Sequence, residues 1–435
     1  MSMKTIPLHK KIENKNLRVA VVGLGYAGLE LALEMVRSGL KVSGIDTDEY
    51  RVKSIAAGKS YISDIPDAAI KEAIDTQGFS AHSDYAPVEN ADVVVFCVPT
   101  PLNRSQEPDL SFVRQSLASA AAAGTTGKLF ILESTTYPGT TREIALPLLG
   151  DGLKVGKDFF LAYSPERIDP GNEHFRLPNT TRIVGGLTPE CGQLASDFFK
   201  LFISNVHTVS SPEAAETTKL FENTFRCVNI ALVNEMMLMC DRMKIDIWEV
   251  MQAAKTKEFG FMPFDPGPGL GGHCIPIDPI FLAWKAKEFD FHSEFIELAA
   301  KRNAAMPYYV MSKIFDALNE REVSIKGSTF LMLGVAYKRN VNDVRESPAL
   351  KIIELLKNKG GNVVYFDPYV ELVRVNGYRL KNEKFTKELL KNSDCTIIAT
   401  DHNCFDYETI VANAPLIIDT RNVLRHRTDA NIVRI

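Results

Sequence analysis

The sequence predicts an α/β protein with two doubly wound domains joined by a helical middle domain with a long central helix. Three observations lead to this prediction. Short β-branched segments alternate with helical stretches over the first half of the chain, the alternation restarts near Ser328, and the segment between them is helical. Such alternation is typical of largely parallel sheets covered by helices. We therefore expect a flexible N-terminus at 1–16 and domains at 17–210, 211–322 and 323–435.

The composition favours a globular protein of several domains. A chain of 435 residues is too long for one ordinary hydrophobic core, and its 45% hydrophobic and 24% charged residues lie near the globular average. A formal net charge of -4 provides no broad cationic field, which argues against nucleic acid as a partner. No stretch approaches the roughly 20 apolar residues of a membrane span. Seven scattered cysteines without a C-x-x-C pair argue against disulfides and structural zinc, so we expect a cytoplasmic protein without a metal.

The first domain begins with a strand, a glycine turn and a helix. The strand is predicted at 17–22 and the amphipathic helix at 29–38. A second strand at 41–45 ends at Asp46. Further strands are expected at 93–98, 129–132, 159–163 and 181–184.

The glycine turn has the pattern G-x-G-x-x-G, which brings backbone amides against a pyrophosphate and predicts a Rossmann-like domain. Asp46 ends the second strand, where a carboxylate accepts both ribose hydroxyls and repels a 2′-phosphate. NAD is therefore favoured over NADP, with the nearby Arg51 counting against that preference. The alternative to a nucleotide-binding site is a glycine turn that serves packing alone. The candidate cofactor contacts here are Gly23, Gly25, Tyr26, Ala27, Gly28, Asp46 and Arg51.

The middle of the chain is predicted to be helical. Ser211 supplies a capping hydroxyl before Pro212, and neither Gly nor Pro occurs again until Gly260. Apolar residues spread beyond one face of 211–243, which predicts a homodimer or higher homo-oligomer. Lys219 and Asn223 are spaced i, i+4 on one face. They are either a solvated polar stripe or two donors for a sugar oxygen that becomes anionic.

A loop at 263–279, dense in glycine and proline, contains Cys274. A lone cysteine is usually a buried, inert hydrophobe. Cys274, however, lies where glycines let a substrate approach the backbone, just before a helix predicted to begin near Pro279, and a helix N-terminus favours the thiolate. Asp278 is an N-cap, a proton-transfer group or both. No second His or Cys lies at zinc spacing from His273, which is therefore expected to be structural.

The C-terminal part predicts a second doubly wound domain. It has no G-x-G-x-x-G pattern, so it is expected to hold something other than a second dinucleotide. Its strands are predicted at 329–333, 362–366, 395–399 and 416–418.

The motifs, in the order in which they occur along the chain, resemble those of the UDP-glucose/GDP-mannose dehydrogenase family. The resemblance extends from Leu17 to about Arg421. The resemblance implies an N-terminal domain that binds NAD, a C-terminal domain that holds the UDP portion of a UDP-sugar, and a dimer made by the long middle helix. The matching segments are the glycine turn, 97–101, 133–141, 164–167, Lys219 to Asn223, the Cys274 loop, and 334–338 with Asp343, Arg345 and Ser347.

The resemblance also implies roles for individual residues. Cys274 would be the nucleophile, and Lys219 and Asn223 would hold the developing oxyanion. Asp278 and Thr135 would position water, with Glu166 as an auxiliary acid/base group. The cofactor would also contact Thr100, Thr135 and Arg345. The implied substrate contacts are Glu166, Arg167, Lys219, Asn223, Phe264, Gly271 and Lys338.

The residue types fit the four-electron oxidation of a primary alcohol to a carboxylate. Loss of hydride to NAD gives an aldehyde, and the Cys274 thiolate adds to it as a thiohemiacetal. Loss of a second hydride leaves a thioester that water hydrolyses. Two alternatives stay open: a two-electron dehydrogenase of the 6-phosphogluconate or hydroxyacid type, which needs no essential cysteine, and a non-enzymatic nucleotide-sugar sensor.

Three positions bear on the sugar. The UDP-glucose type commonly has serine and lysine where this chain has His273 and Ile277, and it tends to carry a glutamate where this chain has Pro170. These departures resemble the branch that acts on UDP-2-acetamido sugars. We therefore favour UDP-N-acetylglucosamine as the substrate over UDP-N-acetylmannosamine and UDP-N-acetylgalactosamine. UDP-glucose is the least favoured of the four.

Overall fold

The computed structural model describes residues 7–62, 64–103, 105–168 and 174–435. They divide into two compact units, and the segment predicted as a middle domain is shared between them. The first unit runs to Glu222 and includes Ile280–His292. The second comprises Asn223–Pro279 and Ser293–Ile435. Pro170, one of the positions used above to judge the sugar, lies outside the described residues.

The first unit is built on a sheet of eight strands. They are β1 (Arg18–Val22), β2 (Lys41–Ile45), β3 (Phe79–His82), β4 (Val93–Phe96), β5 (Leu129–Leu132), β6 (Phe160–Tyr163), β7 (Arg182–Gly186) and β8 (Val206–Val209). Their order is β3-β2-β1-β4-β5-β6-β7-β8, and neighbours are parallel except β6 and β7. The order changes direction between β1 and β4, which confirms the doubly wound fold and leaves a ligand crevice at their carboxyl ends.

Helices cover this sheet on both faces, which is why β4 and β5 are continuous apolar runs with every residue buried. A π-helix at Thr141–Ala145 and a 3-10 helix at Leu177–Asn179 interrupt the regular pattern. The helices are α1 (Leu8–Glu13), α2 (Tyr26–Arg37), α3 (Glu49–Ala56), α4 (Asp67–Asp75), α5 (Ala86–Glu89), α6 (Ser111–Ala122), α7 (Leu146–Leu149) and α8 (Pro189–Phe199).

The N-terminal segment differs from the prediction of a flexible stretch at 1–16. Helix α1 buries Leu8 and Ile12 in the hydrophobic core of the first unit. Lys11 donates to the Asp92 carboxylate at 2.5 Å. The prediction rested on the basic, polar composition of this segment. It overlooked two apolar side chains, Leu8 and Ile12, whose i, i+4 spacing places them on one helix face. The prediction was therefore wrong for Leu8–Glu13.

Four helices follow in the middle of the chain: α9 (Pro212–Met243), α10 (Ile247–Ala254), α11 (Asp278–Ala286) and α12 (Glu294–Asn319), with a 3-10 turn at Lys287–Phe289. The backbone N–H of Ala214 donates to Ser211 Oγ at 3.2 Å, which confirms the predicted cap of α9. No helix among the described residues has the length and apolar character that a bilayer crossing requires.

The second unit contains a parallel sheet of order β10-β9-β13-β14-β15 and a separate antiparallel hairpin, β11-β12. Strand β9 is almost entirely buried and lies between β10 and β13, so the strand order changes direction there as well. The strands are β9 (Thr329–Leu333), β10 (Asn362–Phe366), β11 (Leu372–Val375), β12 (Tyr378–Lys381), β13 (Cys395–Ile398), β14 (Ile417–Asp419) and β15 (Ile432–Arg434). The helices are α13 (Pro348–Asn358), α14 (Lys387–Lys391) and α15 (Tyr407–Asn413).

Candidate active site

The glycine turn of the first unit follows β1 and leads into α2. Gly23 has a φ of +92°, and a Cβ there would lie 2.5 Å from the carbonyl oxygen of Cys97. A Cβ at Gly28 would lie 1.9 Å from the carbonyl oxygen of Gly23. At Gly25, by contrast, no atom of the described residues outside the turn itself lies within 4 Å of the Cβ position. Packing therefore requires the outer glycines, whereas Gly25 leaves a cradle at the N-terminus of α2 that a phosphate can enter.

Asp46 fixes this turn from the end of β2. Its carboxylate accepts the N–H of Leu24 at 2.8 Å and the N–H of Asp48 at 2.9 Å. Arg51 Nη1 lies 3.0 Å from the same carboxylate, and Arg51 Nε lies 3.6 Å from Asp48. Because two carboxylates already engage Arg51, this edge of the crevice is poorly suited to a 2′-phosphate. The arrangement fits NAD.

The other predicted groups of the first unit follow β4, β5 and β6. Thr100, Thr135 and Glu166 come after these three strands in turn, and adjacent parallel strands end at one edge of a sheet. Thr100 and Thr135 are buried. The structure therefore brings all three to the edge that carries the glycine turn and Asp46.

Glu166 forms an ion pair with Lys219 of α9. Glu166 Oε2 lies 3.5 Å from Lys219 Nζ, and both side chains are largely buried. The neighbouring Arg167 donates to Glu222 at 2.5 Å and to the Thr181 carbonyl at 2.7 Å. Burial, and then the charge of Glu166, raise the pKa of Glu30 on α2 to about 7. Glu30 is a titratable group beside Glu166 that belongs to none of the motifs identified in the sequence.

In the second unit, Asn223 and Asp278 contact each other directly. Asn223 Nδ2 donates to Asp278 Oδ2 at 2.6 Å, and Asp278 is buried. The carbonyl of Cys274 accepts the N–H of Ile277 at 3.0 Å and that of Asp278 at 2.8 Å. Cys274 thus begins the turn that leads into α11 at Asp278, as predicted from the sequence, at the helix end that favours a thiolate.

The glycines of the Cys274 loop are needed for contact with the segment after β9. A Cβ at Gly271 would lie 2.6 Å from the Cβ of Tyr337, and one at Gly272, where φ is +91°, would lie 2.9 Å from the Tyr337 ring. The Gly272 N–H donates to the Arg345 carbonyl at 2.9 Å. This contact places the loop beside the motif that contains Lys338.

Arg345, predicted to contact the cofactor, lies in the second unit with Cys274. Burial disfavours the charged form of Arg345 and would lower its pKa. The Asp343 carboxylate, which accepts from Arg345 Nη2 at 2.7 Å, has the opposite effect, and Cys274 adds to it. Together they outweigh burial and raise the pKa of Arg345. A cation near a thiol favours the thiolate. Arg345 is therefore a candidate for activating Cys274 as well as for contacting NAD.

Two buried asparagines hold the start of the loop. The Gly267 N–H donates to Asn234 Oδ1 at 3.0 Å, and Asn234 Nδ2 donates to Asn303 Oδ1 at 3.0 Å. Phe264, a predicted substrate contact, packs edge-on against Phe225 at 6.0 Å between centroids. Asn234 interrupts the most apolar stretch of α9, and that interruption was the available sequence signal.

A cavity of about 490 Å³ lies at the carboxyl ends of β9, β13 and β14. Its cationic side chains include Lys255, Arg339, Arg421 and Arg425, and the Trp248 indole lines it as well. Arg339 pairs with Asp401, and Arg421 Nε donates to the Ala399 carbonyl at 2.8 Å. Clustered guanidinium groups with an aromatic ring suit a ligand that carries phosphates and a base. Of this region, only Lys338, next to Arg339, was predicted from the sequence to contact the substrate; none of these lining residues was.

The buried His402 forms hydrogen bonds to two other loops near this cavity. The Asn340 N–H donates to His402 Nδ1 at 2.9 Å, so the other ring nitrogen, Nε2, carries the proton that His402 donates to Asp367 Oδ2 at 3.1 Å. The same carboxylate oxygen accepts the N–H of Val335 at 2.7 Å and that of Ala336 at 3.0 Å. Asp367 thus fixes the turn after β9 from the end of β10, as Asp46 fixes the turn after β1.

Comparison with known proteins now decides the family. Three domain models of the UDP-glucose/GDP-mannose dehydrogenase family match in order: the NAD binding domain over residues 17–203, the central domain over 213–305 and the UDP binding domain over 331–426. The chain belongs to this family. It is an NAD-dependent nucleotide-sugar dehydrogenase, and the predicted cofactor is confirmed.

Its relatives in this family differ in the sugar they are named for. The chain is 36% identical to a UDP-N-acetyl-D-glucosamine 6-dehydrogenase of Pseudomonas aeruginosa, over 82% of this chain and 84% of that protein. It is 34% identical to a UDP-N-acetyl-D-mannosamine dehydrogenase of Pyrococcus horikoshii, over 94% and 96%. The solved structure of a UDP-D-ManNAc dehydrogenase from Pyrococcus horikoshii matches with a TM-score of 0.88 at 32% identity, over 96% of this chain and 99% of that one.

Proposed function

We propose that this dehydrogenase oxidises the C6 hydroxymethyl group of a UDP-2-acetamido sugar, with UDP-N-acetylglucosamine favoured, to the UDP-uronic acid. The observation that carries the proposal is the environment of Cys274. Its turn opens α11, Arg345 lies close enough to influence it electrostatically, and Asp278, four residues on, is held by Asn223. A dehydrogenase that stops at the aldehyde needs no nucleophile in such a setting.

Cys274 supports the second oxidation in this proposal. NAD, when bound, accepts a hydride in each of the two oxidations. The thiolate of Cys274 adds to the aldehyde carbon and makes a tetrahedral adduct that has a hydride to give. When that hydride leaves, the carbon stays bonded to sulfur as a thioester. Water then displaces the thiolate and completes the carboxylate, so no oxidant besides NAD is required.

Five other predicted residues handle charge and protons in this proposal. The Lys219 ammonium and the Asn223 amide stabilise the oxyanion of the tetrahedral species. Asp278 accepts a proton from the attacking water, with Thr135 orienting that water. Glu166 is the auxiliary acid/base group. Its carboxylate lies 3.5 Å from the Lys219 ammonium.

The cavity of the second unit is the proposed binding site for the UDP portion. Arg339, Arg421 and Arg425 supply cations for the diphosphate, and Trp248 supplies a flat face for the base. A non-enzymatic sensor would use this cavity but would have no use for the thiol. His273 and Ile277 favour a 2-acetamido sugar, and the relatives support that class with both gluco and manno names.

We also propose a homodimer, built on one face of α9. Five exposed apolar side chains are separated by four, seven, seven and four residues, spacings that return to the same face of an α-helix. They are Phe221, Phe225, Leu232, Met239 and Met243. A stripe of large apolar side chains along a helix of 32 residues marks an interaction surface. Leu220, Val233 and Met237, on the other faces, are buried within the chain.

A substrate panel tests the proposed function. Purified protein with NAD is given UDP-glucose, UDP-GlcNAc, UDP-GalNAc or UDP-ManNAc, and NADH absorbance is followed. We expect the highest kcat/KM with UDP-GlcNAc and the lowest with UDP-glucose. A preference for UDP-glucose would refute the assignment to 2-acetamido sugars, and a preference for UDP-ManNAc would correct the C2 configuration.

A further inference from the structure

Three motifs of the first unit begin with residues to which the proposed mechanism gives no role. Cys97 directly follows β4, Glu133 directly follows β5, and Ser164 directly follows β6. These strands are adjacent and parallel, so the three residues lie side by side at the carboxyl edge of the sheet. The segments that they begin carry Thr100, Thr135 and Glu166.

Arg182 is the residue around which these three gather. It opens β7, which runs antiparallel to β6, so the start of β7 lies at the edge where β6 ends. Arg182 Nε donates to Ser164 Oγ at 2.9 Å, and Arg182 Nη2 pairs with Glu133 Oε1. Both members of the ion pair are almost completely buried. The guanidinium also lies over the Phe199 ring, 4.8 Å from its centroid.

Cys97 completes the cluster as a donor. Its thiol donates to Glu133 Oε2 at 3.4 Å, and burial raises its pKa to about 12. A thiol that stays protonated is a hydrogen-bond donor and a poor nucleophile, which sets Cys97 apart from Cys274. Glu133 thus forms an ion pair with Arg182 through one oxygen and accepts from Cys97 on the other.

We propose that Arg182 is a positioning residue for the cofactor and acid/base loops of this enzyme. Its rigid guanidinium contacts Ser164 through Nε and Glu133 through Nη2, and Glu133 in turn contacts Cys97, so the starts of three loops keep a fixed lateral spacing. That spacing sets where Thr100 and Thr135 meet NAD and where Glu166 meets Lys219. The loop roles rest on the proposed function, whereas NAD binding rests on the family.

A cluster of this kind also stabilises the fold, and the sheet offers a control for that role. Lys128 directly precedes β5, at the opposite end from Glu133, and it too is a buried cation. Its Nζ donates to the carbonyls of Glu89 at 2.8 Å and Ala91 at 2.9 Å. Lys128→Met therefore removes a buried cation from the same sheet at the edge away from the loops.

The test compares Arg182→Lys with Lys128→Met by Tm, by the Kd for NAD from calorimetric titration, and by kcat and KM. Lysine keeps the charge but cannot hold Ser164 and Glu133 together. We expect Arg182→Lys to weaken NAD binding about tenfold and to lower kcat by up to about 100-fold, the scale of a displacement near 1 Å. Lys128→Met should lower Tm and leave NAD binding within about twofold of wild type.

Wild-type Kd and kcat in folded Arg182→Lys would overturn the proposal, as would an equal loss of NAD affinity in Lys128→Met. If Arg182→Lys does not fold, Ser164→Ala takes its place in the same measurements, since it removes only one hydroxyl. Unchanged Kd and kcat in Ser164→Ala would then overturn it. If the wild type produces no NADH from any UDP-sugar, the proposed function has failed, and the Kd for NAD alone decides the role of Arg182.

Discussion

Asp46 combines two tasks at the residue scale. It fixes the glycine turn through the Leu24 N–H, and it faces the position where an NAD ribose is expected. We predict that Asp46→Ala weakens NAD binding by at least about tenfold, because hydrogen bonds to a charged group are worth roughly 1.5–3 kcal/mol each. Titration calorimetry with NAD and NADP measures both affinities.

Asp158→Ala is the matched control. Asp158 accepts the Lys154 N–H at 2.8 Å just before β6, at the edge of the sheet opposite the glycine turn, so its removal should cost stability but leave cofactor choice unchanged. Comparable catalytic efficiency of the wild type with NAD and NADP would contradict the role given to Asp46.

Cys274 is the residue on which the covalent mechanism depends. We predict that Cys274→Ser nearly abolishes formation of the uronic acid while NAD affinity stays close to normal, because the cofactor cradle lies at Gly25 and Asp46. Mass spectrometry of the product and calorimetric titration of NAD measure the two effects. Cys404→Ser, at an exposed position of the second unit, is the control and should keep wild-type turnover. Uronic acid at a near wild-type rate from Cys274→Ser would disprove the mechanism.

At the scale of elements, α9 and the π-helix at Thr141–Ala145 meet through Glu216. Glu216 is fully buried and accepts the Gly139 N–H at 2.6 Å, the Thr141 N–H at 2.8 Å and the Thr141 hydroxyl at 2.6 Å. Burial raises the pKa of Glu216 to about 7, against these three donors, which lower it. The carboxylate fixes the end of the loop that contains Thr135 against the helix that carries Lys219.

This pKa predicts a pH dependence of stability. The folded pKa lies above the ordinary glutamate pKa of 4.5, so the folded protein prefers the neutral carboxyl. The associated stability is present below pH 4.5 and is lost as pH rises through about 7. We predict that the unfolding free energy of the wild type, relative to Glu216→Gln, falls by about 3 kcal/mol over that interval. Parallel denaturant titrations of the two proteins from pH 4.5 to 8 measure the difference, and a difference independent of pH would contradict the prediction.

Most interior strands could be predicted from the sequence, and most strands at the sheet ends could not. Strands β2, β5, β9 and β10 have the predicted bounds. Strand β5 is an uninterrupted apolar run, as expected of a buried parallel strand, whereas β10 lies at a sheet end and is marked by the apolar run that ends directly before Asp367. The strands missed are β3, β8, β11, β12 and β15. Strands β3, β8 and β15 lie at the ends of their sheets, where one side is unpaired and polar residues interrupt the pattern.

The same distinction holds for the candidate site. The glycine turn and the Cys274 loop are contiguous in sequence, so their residue pattern alone indicates a ligand. The cationic cavity combines residues that are remote in sequence. Arg339 and Arg421 become neighbours only when strands β9, β13 and β14 are aligned, and Trp248 comes from α10. The Arg182 cluster escaped prediction for the same reason.

For the whole molecule, the apolar stripe of α9 predicts self-association. Leu232 lies in the middle of the stripe and is 60% exposed in the single chain. We predict that the wild type sediments as a dimer at micromolar concentration and that Leu232→Glu shifts it towards monomer, because burying an unpaired carboxylate in an interface is costly. Phe112→Glu, at an exposed phenylalanine of α6 that is not part of the stripe, is the control. A wild-type monomer would contradict the proposed dimer.

One polypeptide is proposed to carry its substrate through two oxidations. The number of NADH molecules formed per UDP-sugar consumed tests this directly, and it is determined by NADH absorbance against chromatographic loss of a limiting amount of substrate. We predict two NADH per UDP-sugar, with no accumulated aldehyde, because the Cys274 adduct passes directly to the thioester. One NADH per UDP-sugar, with an aldehyde as the final product, would contradict it.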